Sequence, residues 1–278
     1  MGRTAILFPG QGCLTADSGA LARERWPELV DRAGELLSAD TFERAAASTE
    51  FAQPAIFVAG MAAWHVDDHP LDDVCAMAGH SLGEFTALAA AGALALDQAL
   101  ELVILRGRLM ARAAQAQGGG MVALLGGDER DVEALARRHD VAVANDNAPG
   151  QLIVSGRGDR LQALAAEARE NGLKTMELDV TGAFHSAEMR SAVIPLRRAL
   201  ERTPVLEPRV PVVSGFTTQP FADVPLELSQ AVVAPVRWRG VMQTLVAMGA
   251  TEFVDMGPGK VLARLVKRNV RGSDAVAV

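Results

Sequence analysis

The segment Ala78-Gly79-His80-Ser81-Leu82-Gly83-Glu84 constrains this chain more than any other. It has the Gly-x-Ser-x-Gly form of a nucleophile elbow, a sharp strand-to-helix turn that lifts a serine out at its apex. The apolar run Val74 to Ala78 before it reads as a buried strand. The Ala- and Leu-rich run Phe85 to Ala93 after it reads as a helix. The two glycines permit a tight turn and a close approach of strand to helix. Ser81 then stands at a strained position with its hydroxyl exposed, above a helix N-terminus that favours developing negative charge.

The remaining pattern agrees with an α/β fold, since short apolar strands alternate with Ala/Leu-rich helices. The first strand is Thr4–Phe8, ending in Pro9-Gly10-Gln11-Gly12. Helices are expected over Ala20–Leu37 and Pro54–His65, and from an N-cap at Asp97 to about Gln115. Gly118-Gly119-Gly120 breaks the pattern and reads as a hinge. Next come strand Met121–Leu125, helix Glu129–Arg138, strands Val141–Asn145 and Gln151–Ser155, helix Arg160–Asn171 and strand Thr175–Val180. That βαββαβ order is the ferredoxin-like unit. The expected architecture is therefore a large α/β-hydrolase-like domain, 1–120 with 182–278, and an inserted ferredoxin-like domain, 121–181. The large domain resumes with a helix from Ser186 to Glu201 and a strand at Val210–Ser214. Helices over about Trp238–Met248 and Lys260–Asn269 then flank a strand at Glu252–Asp255.

Bulk properties narrow the function classes. The 278 residues are 49% hydrophobic, enough for a sizeable core. A formal charge of −7 argues against a nucleic-acid binder. Two cysteines, Cys13 and Cys75, give neither a disulfide framework nor a metal spacing, and are expected as free thiols in a cytoplasmic setting. The first residues lack the apolar stretch and cleavage site of a signal peptide, so no secretion signal is expected, and no segment approaches the length of a membrane span.

An exposed serine needs a base to act as a nucleophile near neutral pH. The chain has five histidines. His65 and His69 fall in a polar connection with Asp67 and Asp68 and read as solvated; His139 ends a charged helix and reads as surface. His80 adjoins Ser81, and neighbours in an elbow point apart. His185 remains, where the inserted unit rejoins the large domain, at an expected interdomain cleft. An oxyanion needs donors. The N–H of Leu82 is one, and the Gly10-Gln11-Gly12 loop can bring another. The group that orients the base stays open among Asp179, Glu188, Asp255 and a backbone carbonyl. Arg106 lies in the apolar helical run Leu102–Arg108, where a guanidinium needs a carboxylate partner. The residues alone leave open whether that partner is structural or a ligand.

Phe8-Pro9-Gly10-Gln11-Gly12, Phe51-Ala52-Gln53-Pro54-Ala55, Gly79 to Glu84 and Leu105-Arg106-Gly107 occur in this order. Met121-Val122-Ala123, Asn145 to Gly150, Gly182 to Ser186, Pro235-Val236-Arg237-Trp238 and Gly257 to Leu262 follow. Together they resemble, nearly end to end, the malonyl-CoA:acyl-carrier-protein transacylases and related polyketide acyltransferase domains. The resemblance implies that Ser81 accepts the acyl group and His185 is its base. It implies that Gln11 and Leu82 supply the oxyanion-hole N–H groups and that Arg106 clamps the malonyl carboxylate. Phe184 matches the bulky residue of malonyl-selective members, and Met110 and Gln53 belong to the substrate pocket. Ala231 stands where the family commonly has Gln, whose backbone carbonyl orients the base. The partners implied are malonyl-CoA and the phosphopantetheine arm of an acyl carrier protein, with no bound metal or other cofactor, in fatty acid or polyketide synthesis. A monomer is the family's default. Carriers of this kind are acidic, so a basic patch is expected, with Arg264, Lys267 and Arg268 at helical spacing as candidates.

The sequence also departs from the family pattern. Leu14 stands where Gln is common, and Thr15 to Gly19 looks shortened. Ser214-Gly215-Phe216-Thr217 is expected to reshape the pocket floor. Ala187-Glu188 is expected to bring a carboxylate to the pocket mouth. Two other readings are an acyl-thioester hydrolase or a transacylase of another acyl group, and a non-catalytic carrier-docking protein. A buried Arg106 favours a dicarboxylic donor, and intact Ser81 and His185 oppose the non-catalytic reading.

Overall fold

The run Thr4–Phe8 shows no polar alternation, and every residue in it is buried. A strand covered on both faces belongs inside a parallel sheet, and it lies there. The computed structural model describes residues 3–67, 69–270 and 274–277; Asp68, one of the acidic neighbours expected beside His69, lies outside them. The first elements are β1 (Thr4–Phe8), α1 (Ser18–Arg25), α2 (Pro27–Leu37), α3 (Thr49–Val66), β2 (Val74–Gly79), α4 (Gly83–Ala90) and α5 (Leu96–Gln117). A middle stretch contributes β3 (Gly120–Leu125), α6 (Glu129–Arg138), β4 (Ala142–Ala148), β5 (Gln151–Gly156), α7 (Gly158–Glu170) and β6 (Lys174–Glu177). The chain continues through α8 (Arg190–Leu200), β7 (Val212–Val213), α9 (Val224–Ala231), α10 (Trp238–Ala247), β8 (Glu252–Asp255), α11 (Val261–Asn269) and β9 (Asp274–Ala277).

The protein is mixed α/β, with two sheets among the described residues. The first is parallel throughout, in the order β7-β2-β1-β8-β9. Side chains of β1 alternate between its faces. Ile6 and Phe8 join the core beneath α3, α4 and α5. Ala5 and Leu7 join the core beneath α10 and α11. The second sheet is antiparallel, in the order β4-β5-β3-β6. Val122, Leu124 and Val154 pack on α6 and α7. Met121, Ala123 and Ile153, on its other face, join the first core.

Local chemistry explains where the elements depart from the sequence expectation. The helix expected over Ala20–Leu37 is two helices, because Trp26 precedes Pro27 and takes φ −153°, ψ 74°. The helix expected from Pro54 starts at Thr49, where the Ser48 side chain accepts the N–H of Glu50. Pro54 lies inside it and leaves the Glu50 carbonyl without its helical donor. Gly107 of α5 packs there, so close that an added Cβ would stand 3.1 Å from the carbonyls of Thr49 and Glu50. This contact sets Arg106 beside α3. Asp97 lies in the first turn of α5, and the N-cap is Ala95. A 3₁₀ turn, Ala187–Met189, replaces the first turn of the helix expected from Ser186. Only Val212–Val213 of the strand expected at Val210–Ser214 pairs. β6 ends at Glu177 instead of Val180. α9 and β9 had no sequence expectation.

The elbow glycines are steric necessities. A Cβ on Gly79 would overlap the backbone of Gly83, and one on Gly83 would overlap the Phe8 carbonyl. Gly83 opens α4, a position where alanine would otherwise be favoured. Gly83→Ala should therefore destabilise the fold by about 1–3 kcal/mol through overpacking. The check is a lower urea midpoint with an unchanged denaturant slope; a midpoint equal to the parent's contradicts this account.

Candidate active site

Ser81 sits between β2 and α4 with φ 55°, a left-handed conformation that costs a non-glycine residue energy. Its Oγ lies 2.8 Å from Nε2 of His185. His185 also has a positive φ, 57°, and is buried. Its Nδ1 donates to the carbonyl of Ala231 at 2.8 Å, with the carbonyl of Ala234 at 3.1 Å. With Nδ1 protonated, Nε2 is the acceptor and can take the Ser81 proton. The carboxylates left open by spacing do not fill this role: two carbonyls at the end of α9 hold the ring. Glu188 lies 2.5 Å from the Ser186 hydroxyl, and Asp255 accepts the N–H of Ala263.

Arg106 reaches the same hydroxyl from α5. Its Nη2 donates to Ser81 Oγ at 3.0 Å, and its Nη1 to Gln53 Oε1 at 2.6 Å. Gln53 in turn donates to Thr49 at 2.9 Å and lies 3.5 Å from the Met110 sulfur, and Thr49 donates to the Gln11 side chain at 3.1 Å. Arg106 is 3% exposed, and among the described residues no carboxylate lies within ion-pair distance of it. The backbone N–H groups of Gln11 and Leu82 have no protein acceptor among the described residues. Both residues line the cavity at Ser81, which has a volume of about 380 Å³. Met110, Phe184 and Gln53 line it too. The second sheet closes it from above with Met121, Ala123 and Ile153.

The other histidines are accounted for. His80 Nε2 lies 2.9 Å from Asn147 Oδ1 and 3.3 Å from Asn145 Nδ2, so it ties the elbow to β4. His65 is exposed, as expected, and stacks on Trp26 with ring centroids 4.0 Å apart. His139 pairs with Glu167 at 2.6 Å, and His69 with Asp67 at 3.3 Å. Ser214 to Thr217 do not line the cavity; they lie beneath α4, where the Gly215 N–H meets Glu84. Arg264, Lys267 and Arg268 are exposed on α11. Arg268 lies at the cavity and donates to the Pro149 carbonyl at 3.3 Å and to Gln151.

A model of the acyl transferase domain family matches residues 33–278. The chain is 36% identical over 300 residues to the malonyl CoA-acyl carrier protein transacylase of Bacillus subtilis (strain 168), covering 100% of this chain and 94% of that one. It is 31% identical over 287 residues to the polyketide biosynthesis malonyl CoA-acyl carrier protein transacylase PksC of the same strain, covering 97% and 98%. The crystal structure of an acyl-carrier-protein-S-malonyltransferase from Bartonella henselae superposes with a TM-score of 0.92 at 32% identity, covering 100% and 95%. A malonyl-transacylase in complex with a type II PKS acyl-carrier protein gives a TM-score of 0.92 at 29% identity, covering 100% and 96%. The chain belongs to the acyl transferase domain family.

The electrostatics of this acyl transferase follow from burial. His185 is pushed down to about 3, first by desolvation and then by the Arg106 charge, against the two carbonyls that favour its protonated form. Arg106 is lowered to about 10 by burial, with Glu84 opposing. Sequence reasoning missed the Ala234 carbonyl, Thr49 and the Asn145–Asn147 pair. The alternation of Asn145 and Asn147 on β4 was a signal, since residues two apart share a face. Among the described residues no group of His, Cys, Asp or Glu could hold a metal ion, and no helix is long and apolar enough to cross a membrane.

His185 is neutral above about 3, and its Nε2 is lost as a proton acceptor only as pH falls through that value. Its ring resonances, assigned by their loss in His185→Ala, should not titrate between about pH 8 and about pH 5. An ordinary transition near 6.5 contradicts the geometry.

Proposed function

We propose that this acyl transferase moves a malonyl group from malonyl-CoA to the phosphopantetheine thiol of an acyl carrier protein, through an ester on Ser81. The observation that carries the reading is Arg106: a buried guanidinium, without an ion-pair partner among the described residues, 3.0 Å from the nucleophilic oxygen. A site for neutral acyl chains gains nothing from it. A carboxylate one carbon beyond the reacting carbonyl offsets its desolvation through a planar, bidentate contact.

Ser81 Oγ attacks the thioester carbonyl as its proton passes to His185 Nε2. The oxyanion accepts the N–H groups of Gln11 and Leu82, beside the N-terminus of α4. The C–S bond then breaks, and the coenzyme A sulfur takes the proton back from His185. The carrier thiol repeats the sequence in reverse: its proton passes to His185, its sulfur attacks the ester carbonyl, and Ser81 recovers the proton. The malonyl carboxylate also neutralises Arg106, the charge that lowers His185. Binding of the anionic substrate thus makes protonation of the base easier at the moment when it must accept a proton. Phe184 beside the substrate leaves little room for an α-methyl group, a discrimination of about 1–3 kcal/mol.

The finer architecture belongs to the same reading: 1–120 with 182–278 as a hydrolase-like catalytic domain and 121–181 as a ferredoxin-like insertion. The β4-β5-β3-β6 order with α6 and α7 on one face supports the second part. Arg264, Lys267 and Arg268 on α11 offer a basic landing for an acidic carrier near the cavity mouth. The site is complete within one chain, which supports a monomer as the working unit. A cytoplasmic setting suits the free thiols Cys13 and Cys75.

Intact-protein mass after mixing with malonyl-CoA tests the reading. The expected result is a malonyl adduct on the parent and none on Ser81→Ala, stable in buffer and discharged by holo carrier protein. Clearance by water as fast as by carrier would favour the hydrolase. Absence of the adduct would overturn the proposal.

A further inference from the structure

Two buried carboxylates lie outside the substrate cavity, and one of them, Glu84, bears on Arg106 only through its charge. Glu84 and Glu227 are 2% and 4% exposed. Glu84 lies in the first turn of α4, three residues after the nucleophile, and its Oε1 accepts the N–H of Gly215 at 2.8 Å. Glu227 lies on α9. Its Oε1 accepts the N–H groups of Ala222 at 2.8 Å and Asp223 at 3.0 Å, and its Oε2 accepts the Thr217 hydroxyl at 3.0 Å. The turn from Ser214 to Asp223 is thus pinned at one end to α4 and at the other to α9. One helical turn beyond Glu227, the carbonyl of Ala231 holds His185 Nδ1 at 2.8 Å. His185 Nε2 then returns to Ser81 Oγ at 2.8 Å. The polar contacts close a ring beneath the site that begins and ends at the nucleophile.

We propose that Glu84 and Glu227 are positioning residues, holding the 214–223 turn between them and so fixing the Ser81 elbow against the carbonyl that orients His185. The physical reason is the cost of the alternative. Burying two carboxylates is unfavourable unless each is fully hydrogen-bonded. Gly215 donates to Glu84, and Ala222, Asp223 and the Thr217 hydroxyl donate to Glu227, contacts that last only while the turn keeps its shape. Neither Ser81 nor His185 sits in relaxed backbone, with φ of 55° and 57°, so both need surrounding structure to hold them. A loosened turn would let the Ala231 carbonyl drift. The imidazole would then lose its alignment while the substrate pocket, which neither carboxylate lines, kept its shape. This inference rests on the Ser81–His185 reading, and its test avoids malonyl chemistry.

The test is the rate of Ser81 labelling by a small neutral fluorophosphonate, in which Oγ displaces fluoride and His185 takes the proton. Glu84→Ala should slow labelling on the order of tenfold, as misalignment of catalytic groups does. Glu84→Gln keeps an acceptor oxygen for Gly215 and should recover most of that loss. Thr217→Val, a mild change in a half-buried turn, should slow labelling several-fold and lower kcat for malonyl transfer while leaving KM unchanged. Leu164→Ala, in the separate core beneath α7, serves as a control that lowers stability without slowing labelling. Folded Glu84→Ala and Thr217→Val proteins that label at the parental rate overturn the positioning role alone. Labelling that persists in Ser81→Ala overturns the catalytic reading, and the positioning role with it.

Discussion

The structure is organised around one buried cation. Arg106 is surrounded by apolar helices and meets only neutral oxygens, those of Gln53 and Ser81. Isolated burial of such a charge is unfavourable, and its desolvation lowers its own proton affinity to about 10. The fold maintains it with specific devices. Gly107 and Pro54 let α5 seat against the opened Glu50 carbonyl of α3, which brings Gln53 into reach. Glu84, raised to about 7 by burial, supplies only a partial countercharge from beyond ion-pair distance. Arg106 is thus a buried cation with two neutral acceptors and only a partial countercharge. In the function we propose, a substrate carboxylate supplies the remaining countercharge, and the energy of that pairing appears beside the reacting atoms.

The same burial sets the state of the base. A histidine with an ordinary proton affinity would be partly charged near neutral pH, and its charged fraction could not accept the serine proton. Desolvation and Arg106 keep His185 neutral, and the carbonyls of Ala231 and Ala234 fix its tautomer. Two strained backbones, at Ser81 and His185, then bring Oγ and Nε2 to 2.8 Å. Strain of this kind persists only where packing over-determines it. The elbow glycines supply that packing on one side, and the turn between α4 and α9 supplies it on the other.

Much of this was legible in residues that serve a single physical demand. The elbow glycines, the uninterrupted apolar strand β1 and the arginine inside an apolar helix each announce their role locally. The group that orients His185 was not legible by position, because a backbone carbonyl carries no residue signature. α9 and β9 are short, and neither carries a pattern that the reading could separate from loop. Helix starts shifted for the reasons already visible at Pro27 and Ser48: pre-proline geometry and a side-chain cap decide a boundary within a few residues. The turn at Ser214–Thr217 was expected at the pocket floor, but its Gly215 N–H donates to Glu84 beneath α4, and the N–H groups of Phe216 and Thr217 turn to the Ser214 hydroxyl.

The central claim is that Arg106 selects a carboxylated acyl group. The most direct measurement is the rate of Ser81 acylation by malonyl-CoA and by acetyl-CoA, in the parent and in Arg106→Ala. Truncating one side of a buried charge pair costs about 2–5 kcal/mol. The parent should therefore prefer malonyl-CoA on the order of a hundredfold or more, and that preference should collapse towards unity in Arg106→Ala. If the substitution slows both donors by the same factor, Arg106 serves the nucleophile or the fold and does not read the carboxylate.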